Sequence, residues 1–196
     1  MKKVFINKLK CFAVCSILFA FSQQVFAQQP RPVPNAYAAA SKVNFVRTWD
    51  ATAPEQNPNA LMVRPIKDVK QVTQYLDGLG RPLQTVIKQG SMVTGSPAND
   101  VVNPVEYDDL GREQFKYLPF TSNSTGGYPT NDGKFKLNPF QQQAAFMTAQ
   151  YGTQNETVFY SKANFESSPL NRLTDPYASG NSWVGSEVNT EAQRRN

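Results

Sequence analysis

Alternation of apolar and polar residues recurs along the middle of the chain and predicts β-strands. Residues 69–76 and 83–89 form two β-prone runs on either side of a Gly-rich segment. Residues 101–107 and 112–118 form a second pair around a short acidic segment that contains glycine. Because alternating runs joined by a short polar turn are typical of a β-hairpin, we predict a hairpin at each place.

One helix is predicted, over residues 139–151. Apolar side chains recur there at helical spacing and form a single stripe, which we interpret as a packing face. Its members are Phe140, Ala144, Met147 and Tyr151. Asn138 is placed to cap the N-terminus, Pro139 suits the first helical position, and Gly152 can end the helix in the left-handed conformation.

The composition limits the number of helices. The chain holds 14 Pro and 11 Gly, which break regular structure often and disfavour long helices. We therefore predict a mainly β (α+β) fold of antiparallel hairpins with one amphipathic helix near 139–151. The fold is assigned to one domain over 42–184, between a Pro-rich linker (28–41) and a polar tail (185–196).

Residues 1–27 have the pattern of a secretory signal peptide. Four lysines precede an apolar run from Cys11 to Phe21, and a small residue, Ala27, closes the segment. The run is shorter than the roughly 20 apolar residues that span a bilayer. We therefore expect a secreted or cell-surface protein with no integral membrane segment after cleavage.

Removal of residues 1–27 also limits the kinds of binding and catalytic site that the chain can form. The remaining chain carries 16 basic and 15 acidic residues, so a basic surface for nucleic acid is not expected. Cys11 and Cys15 are the only cysteines, and there is no histidine. A mature chain of this kind lacks the residues for a Ser-His-Asp triad, a thiol nucleophile or a Cys/His zinc site. We predict no enzyme activity, no cofactor and no metal site.

The two predicted turns share one motif, Asp-x-Leu-Gly-Arg, spaced 31 residues apart. An Asp at the start of a turn accepts backbone N–H groups, and a Gly at the fourth position supplies a positive φ. The Arg that restarts the strand can reach back to the carboxylate or across to a neighbouring strand. The predicted structural turn residues are Asp77, Gly80, Arg81, Asp108, Gly111 and Arg112.

Acid–base catalysis is the alternative interpretation of these carboxylates. Asp108 and Asp109 are adjacent, and Asp77 lying near them would imitate a catalytic pair. Adjacent residues of a strand point to opposite faces, so the turn interpretation is favoured. A carboxylate hydrolase would need two of Asp77, Asp108, Asp109, Glu106 and Glu166 in one pocket. Lys136 is interpreted as an ordinary solvated charge.

The turn motifs resemble the YD repeats of RHS proteins. A longer set of blocks resembles a domain of unknown function that precedes those repeats in long secreted bacterial proteins. The blocks occur in the same order and cover roughly 44–183. They are residues 44–49, 75–85, 104–108, 116–120, 132–146 and 165–172.

This resemblance implies an architecture in which strand–turn–strand repeats wind into a hollow β-shell and this domain lies at its entrance. The chain stops about where the repeats would begin, so we expect a truncated gene product, a split gene product or an orphan copy. A split gene would have its repeat shell encoded in the adjacent reading frame. The implied function is a non-catalytic structural and interaction module that caps an RHS-repeat shell.

Binding of surface glycans or cell-wall polymers is the competing function. Aromatic rings can stack on sugars, and the mature chain is rich in them. The candidate residues are Trp49, Phe120, Tyr128, Tyr151 and Trp183.

We predict that cleavage follows Ala27 and that the mature protein begins at Gln28, because small residues occupy the −1 and −3 positions after the apolar run. N-terminal sequencing or the intact mass of exported protein measures this. Lipidation of Cys15 is not expected, since it follows Val14 where a small residue is normally needed. A product that retains Cys11 and Cys15, or a lipid adduct on Cys15, would contradict the prediction.

Overall fold

Two antiparallel sheets and one long helix make up the described part of the chain. The computed structural model describes residues 30–91 and 97–183; the predicted signal peptide and polar tail lie outside these ranges. The strands are β1 (Asn44–Ala51), β2 (Val69–Leu76), β3 (Pro82–Ile87), β4 (Val101–Pro104), β5 (Phe115–Tyr117), β6 (Phe120–Thr121), β7 (Tyr160–Phe165) and β8 (Leu173–Tyr177). The helices are α1 (Pro58–Leu61) and α2 (Pro139–Tyr151), and a 3-10 turn, Gly152–Gln154, follows α2.

The strands divide into a five-stranded sheet, in the order β1-β2-β3-β4-β6, and a three-stranded sheet, in the order β5-β7-β8. Every paired neighbour is antiparallel. The predicted mainly β class with one principal helix is therefore confirmed. The first predicted hairpin is β2–β3, in which Tyr75 lies opposite Gln84 and a register shift follows at Leu76.

The second pair of predicted strands does not form a hairpin. β4 pairs with β3 and β6, whereas β5 pairs with β7 in the other sheet. Between the two predicted arms of this hairpin, residues 101–107 and 112–118, the described residues form one isolated β-bridge, from Val105 to Lys116. Each arm buries its apolar side chain in a different core, Val102 under the five-stranded sheet and Tyr117 under the other. The chain thus passes from one sheet to the other at this turn.

Helix α2 contributes to both cores. Its Met147 packs with Tyr75, Val86 and other buried residues of the five-stranded sheet. Its Phe140 packs against Tyr117, with ring centroids 4.9 Å apart, in the core of the three-stranded sheet. One helix face therefore fixes the two sheets relative to each other.

The helix face differs from the predicted stripe. Tyr151 is 44% exposed, while Gln142 and Gln143 are buried. The Gln142 carboxamide accepts a hydrogen bond from the Ser122 hydroxyl, 2.9 Å away, and donates to the Asn138 carboxamide at 2.8 Å. A buried glutamine is stable here because its polar atoms have partners.

Both helix ends also differ from expectation. Asn138 makes no side-chain capping bond; its amide instead donates to the Thr125 carbonyl. Gly152 has φ −61°, so the prediction of a left-handed glycine there is wrong. The chain continues into the 3-10 turn, and Asn155, with φ 58°, takes the left-handed conformation instead.

Lys136 is buried, which contradicts its interpretation as a solvated charge. Its side chain is 2% exposed and its Nζ lies 2.7 Å from Asp100 Oδ2 and 2.8 Å from Asp132 Oδ1. The Pro129 carbonyl accepts a third bond. Asp100, fully buried, also accepts the backbone N–H groups of Gln89 and Gly133. This network ties the loop before α2 to the start of β4.

We predict that Asp100→Asn lowers the free energy of unfolding by about 3 kcal/mol, because it leaves the buried Lys136 ammonium without its closest carboxylate. Urea denaturation of a chain that begins at Gln28 measures the change. Asp109→Asn, at an exposed position, is the matched control and should stay within about 0.5 kcal/mol. An Asp100→Asn protein as stable as this control would contradict the structural role of the network.

Candidate functional site

The first turn is closed by its own aspartate and arginine. Asp77 Oδ1 accepts the backbone N–H groups of Leu79 and Arg81, both at 2.8 Å, and Oδ2 accepts Arg81 Nε at 2.7 Å. Gly80 has φ 80°, a conformation that L side chains rarely adopt. The Asp, the Gly and the Arg are therefore each needed for the shape of this turn.

The second turn repeats the same bonds. Asp108 Oδ1 accepts the N–H groups of Leu110 at 3.0 Å and Arg112 at 2.8 Å, and Oδ2 accepts Arg112 Nε at 2.8 Å. Gly111 has φ 76°. Asp109 is exposed at the tip and takes part in none of these bonds.

Hydrogen bonding lowers the pKa of both turn aspartates. The backbone N–H of Arg81 is the main cause that lowers the pKa of Asp77. Partial desolvation raises the pKa of Asp108, but the donors of Arg112 outweigh it and the net shift is downward. Both carboxylates are thus stabilised in the ionised form as acceptors, which fits a turn and does not fit a general acid.

A third turn of the same kind follows β7, and sequence reasoning did not single it out as a turn. The N–H of Asn171 donates to the Ser168 carbonyl, and the N–H of Leu170 donates to Ser168 Oγ. The backbone N–H of Glu166 donates to the Arg172 carbonyl, and the backbone N–H of Arg172 donates to the Glu166 carboxylate. Ser168 and Glu166 together thus replace the single Asp, and Asn171, with φ 50°, replaces the Gly. The Leu-x-Arg triplet shared with the other turns was the available signal.

The three turns form a row that is linked by arginine–aromatic contacts. The Arg81 guanidinium lies over the Tyr107 ring, 4.6 Å from its centroid, just before the second turn. The Arg112 guanidinium lies over Phe165, 5.0 Å away, just before the third turn, and its Nη1 donates to Asn171 Oδ1 at 3.1 Å. Each arginine therefore closes its own turn and binds the next one.

The row presents one leucine from each turn to solvent. Leu79, Leu110 and Leu170 occupy equivalent positions and are 80%, 71% and 67% exposed. Singly exposed leucines are common on protein surfaces, but leucines repeated at equivalent positions of linked turns offer a surface that one repeating partner can cover. We take the three turns, which we call the turn row (77–81, 108–112 and 166–172), as the candidate functional site.

A second feature is the N-terminal strap, residues 30–37. We expected this segment to be a linker that separates the domain from the cleavage site, yet it lies against the domain. Arg31 forms a bidentate ion pair with Glu106, with Nη1 2.5 Å from Oε2 and Nη2 2.9 Å from Oε1, and its guanidinium covers the Phe115 ring at 3.9 Å. The Gln141 side chain donates to the Pro34 carbonyl, 2.7 Å away.

The strap borders a pocket of about 370 Å³ beside α2. Tyr117 and Phe140 line its aromatic side, and the strap prolines line another. Burial and the Glu106 carboxylate raise the pKa of Tyr117, and burial raises the pKa of Tyr37 to about 12. Both phenols therefore remain protonated near neutral pH, and the Tyr117 hydroxyl donates a hydrogen bond to the Glu106 carboxylate.

The aromatic residues proposed for glycan binding are dispersed between core and surface. Phe120 is 2% exposed and belongs to the core, while Trp49 is half-buried. Tyr128, Tyr151 and Trp183 are exposed. Within residues 30–91 and 97–183, no ring contact joins these three side chains.

Within residues 30–91 and 97–183 the chain offers neither a metal-binding cluster nor a membrane-spanning helix. No group of three or more His, Cys, Asp or Glu side chains is placed there to hold a metal ion. No helix in those ranges is long and apolar enough to cross a membrane.

Comparison with known proteins identifies the family. Residues 47–196 match the family described as a domain of unknown function, DUF6443, and the chain belongs to it. No curated protein and no solved structure gives a significant match. The matched region contains the whole turn row and begins after the strap.

We predict that Gly80→Ala and Gly111→Ala both destabilise the protein, and that Gly111→Ala, although it lies in the second turn, is coupled to Arg81 of the first. A Cβ at position 80 meets open space, so the positive φ alone costs about 1–2 kcal/mol. A Cβ at position 111 would lie 2.7 Å from Arg81 Nη1 and displace it as well.

A double-mutant cycle in urea denaturation measures this coupling. Arg81→Ala and Gly111→Ala should show an interaction energy of about 0.5–1 kcal/mol, since either change disrupts the same contact. Arg81→Ala with Gly133→Ala is the control cycle, because a Cβ on Gly133 meets Gln71 and Lys88 instead. Additive costs in the first cycle would mean that the two turns are independent.

Proposed function

We propose that this protein is a non-catalytic structural and interaction module that caps the N-terminal end of an RHS-repeat shell on a secreted or surface protein. The observation that carries the proposal is the turn row. It is a short array of three similar turns in which the first and the second turn each bind the next through one arginine. A domain that already contains the beginning of such an array is suited to start a longer one.

The chemistry of the turns supports a structural role. Asp77 and Asp108 each accept three hydrogen bonds within their own turns, from two backbone N–H groups and one guanidinium. Glu106 is engaged by Arg31 and Tyr117. These carboxylates hold chain segments together, and a catalytic carboxylate would need an open face toward a substrate.

Export and the location of the partner belong to the same proposal. The signal-like residues 1–27 support secretion, and the blocks shared with RHS-associated domains support a repeat-bearing partner outside the cell. In this proposal the domain acts at the entrance of a shell built from such repeats. The family match itself assigns no function.

A binding experiment tests the proposal against glycan recognition. The exported chain is mixed with a recombinant array of YD repeats that lacks its own N-terminal domain, and complex formation is followed by sedimentation velocity. In parallel, tryptophan fluorescence is titrated with peptidoglycan and soluble polysaccharides, because Trp183 is 72% exposed and reports on ligands at its surface. Trp183→Phe is the control for the origin of the signal.

We expect a complex with the array and no saturable fluorescence change with the polysaccharides. An array in which the turn Asp and Arg residues are replaced by Ala should not bind. Absence of a complex together with saturable quenching by a polysaccharide would contradict the cap and favour a glycan-binding module.

A further inference from the structure

We infer that the third turn, around Arg172, is the surface on which the first strand–turn unit of the repeat-bearing partner docks, with an aromatic side chain of that unit over the Arg172 guanidinium. This inference rests on the proposed function and names the contact through which the cap would act.

The turn row has a direction. In both of its links, the arginine of the earlier turn covers the aromatic ring that immediately precedes the next turn: Arg81 covers Tyr107, and Arg112 covers Phe165. In each link, therefore, the earlier turn supplies the arginine and the later turn is preceded by the aromatic residue that the arginine contacts. A unit added after the third turn would use Arg172 in the same way.

Arg172 is the arginine at the end of the row. Its side chain is 71% exposed, compared with 38% for Arg81 and 22% for Arg112. Its Nε lies 3.4 Å from the Glu166 carboxylate, whereas the other two arginines approach their aspartates to 2.7 and 2.8 Å. In the described part of the chain, no aromatic ring lies over its guanidinium.

Apolar side chains extend the surface around this arginine. Leu170 is 67% exposed and Leu173, at the start of β8, is 53% exposed. A planar guanidinium bordered by two leucines can bind the face of an aromatic ring and bury apolar surface around it. The occupant that fits is a strand–turn unit with Tyr or Phe just before its turn, because this is the arrangement that the two earlier arginines already bind.

The affinity of the exported chain for the recombinant YD array tests the inference. Arg172→Ala should weaken binding about tenfold, and Arg172→Lys should recover only part of it, because an ammonium lacks the planar face. Arg64→Ala is the matched control, since Arg64 is also an exposed arginine paired with a glutamate, Glu55, away from the turn row. This control should bind as the unchanged chain does.

A change in the array completes the test. Replacing the aromatic residue before the first turn of the array by Ala should weaken binding to the unchanged chain by a similar factor. It should have little further effect on the Arg172→Ala chain, because the same contact is already lost. The unfolding temperature of Arg172→Ala is measured as well. It should equal that of the unchanged chain, which would show that loss of the exposed side chain leaves the fold intact.

The outcomes separate the two claims. If the array binds the unchanged chain and the Arg172→Ala chain equally well, the docking surface is wrong and the cap proposal stands on another contact. If the array binds neither chain, the cap proposal fails and the inference fails with it.

Discussion

The arginine that closes each of the first two turns performs two tasks with different parts of one residue. Its Nε and backbone N–H bind the aspartate of its own turn, which leaves the planar face available for the next aromatic ring. Lysine would not perform both tasks, because its ammonium lacks the rigid set of N–H donors and the planar face of a guanidinium. The glycine before each of these arginines has a positive φ, 80° at Gly80 and 76° at Gly111, which L side chains rarely adopt.

The arrangement of the two sheets depends on these contacts. The second turn is the place where the chain leaves the five-stranded sheet after β4 and enters the three-stranded sheet at β5. Arg81, from the first sheet, binds the beginning of that turn, and Arg112 binds the end of β7 in the second sheet. Helix α2 supports the same arrangement from the interior with Met147 and Phe140 in the two cores.

Local pattern was sufficient for the elements that depend on neighbouring residues. The β2–β3 hairpin and the extent of α2 follow from alternation, helical spacing and Pro139. The separation of β4 from β5 could not be predicted, because their pairing depends on distant strands that the alternation does not identify. The burial of Lys136 depends on Asp100, 36 residues away, and the attachment of Arg31 depends on Glu106, 75 residues away. The third turn was missed because two residues share the work of one aspartate.

Hydrogen exchange measured by mass spectrometry on an Arg81→Ala chain tests the central claim most directly. If the turns form one mechanically linked row, the amides of Leu110 and Arg112 should exchange faster, although the substitution lies in the first turn and leaves every bond of the second turn in place. The amides of the buried strand β4 should keep their protection, which serves as the internal reference. Faster exchange confined to residues 77–81 would contradict the account, because each turn would then be an independent hairpin tip.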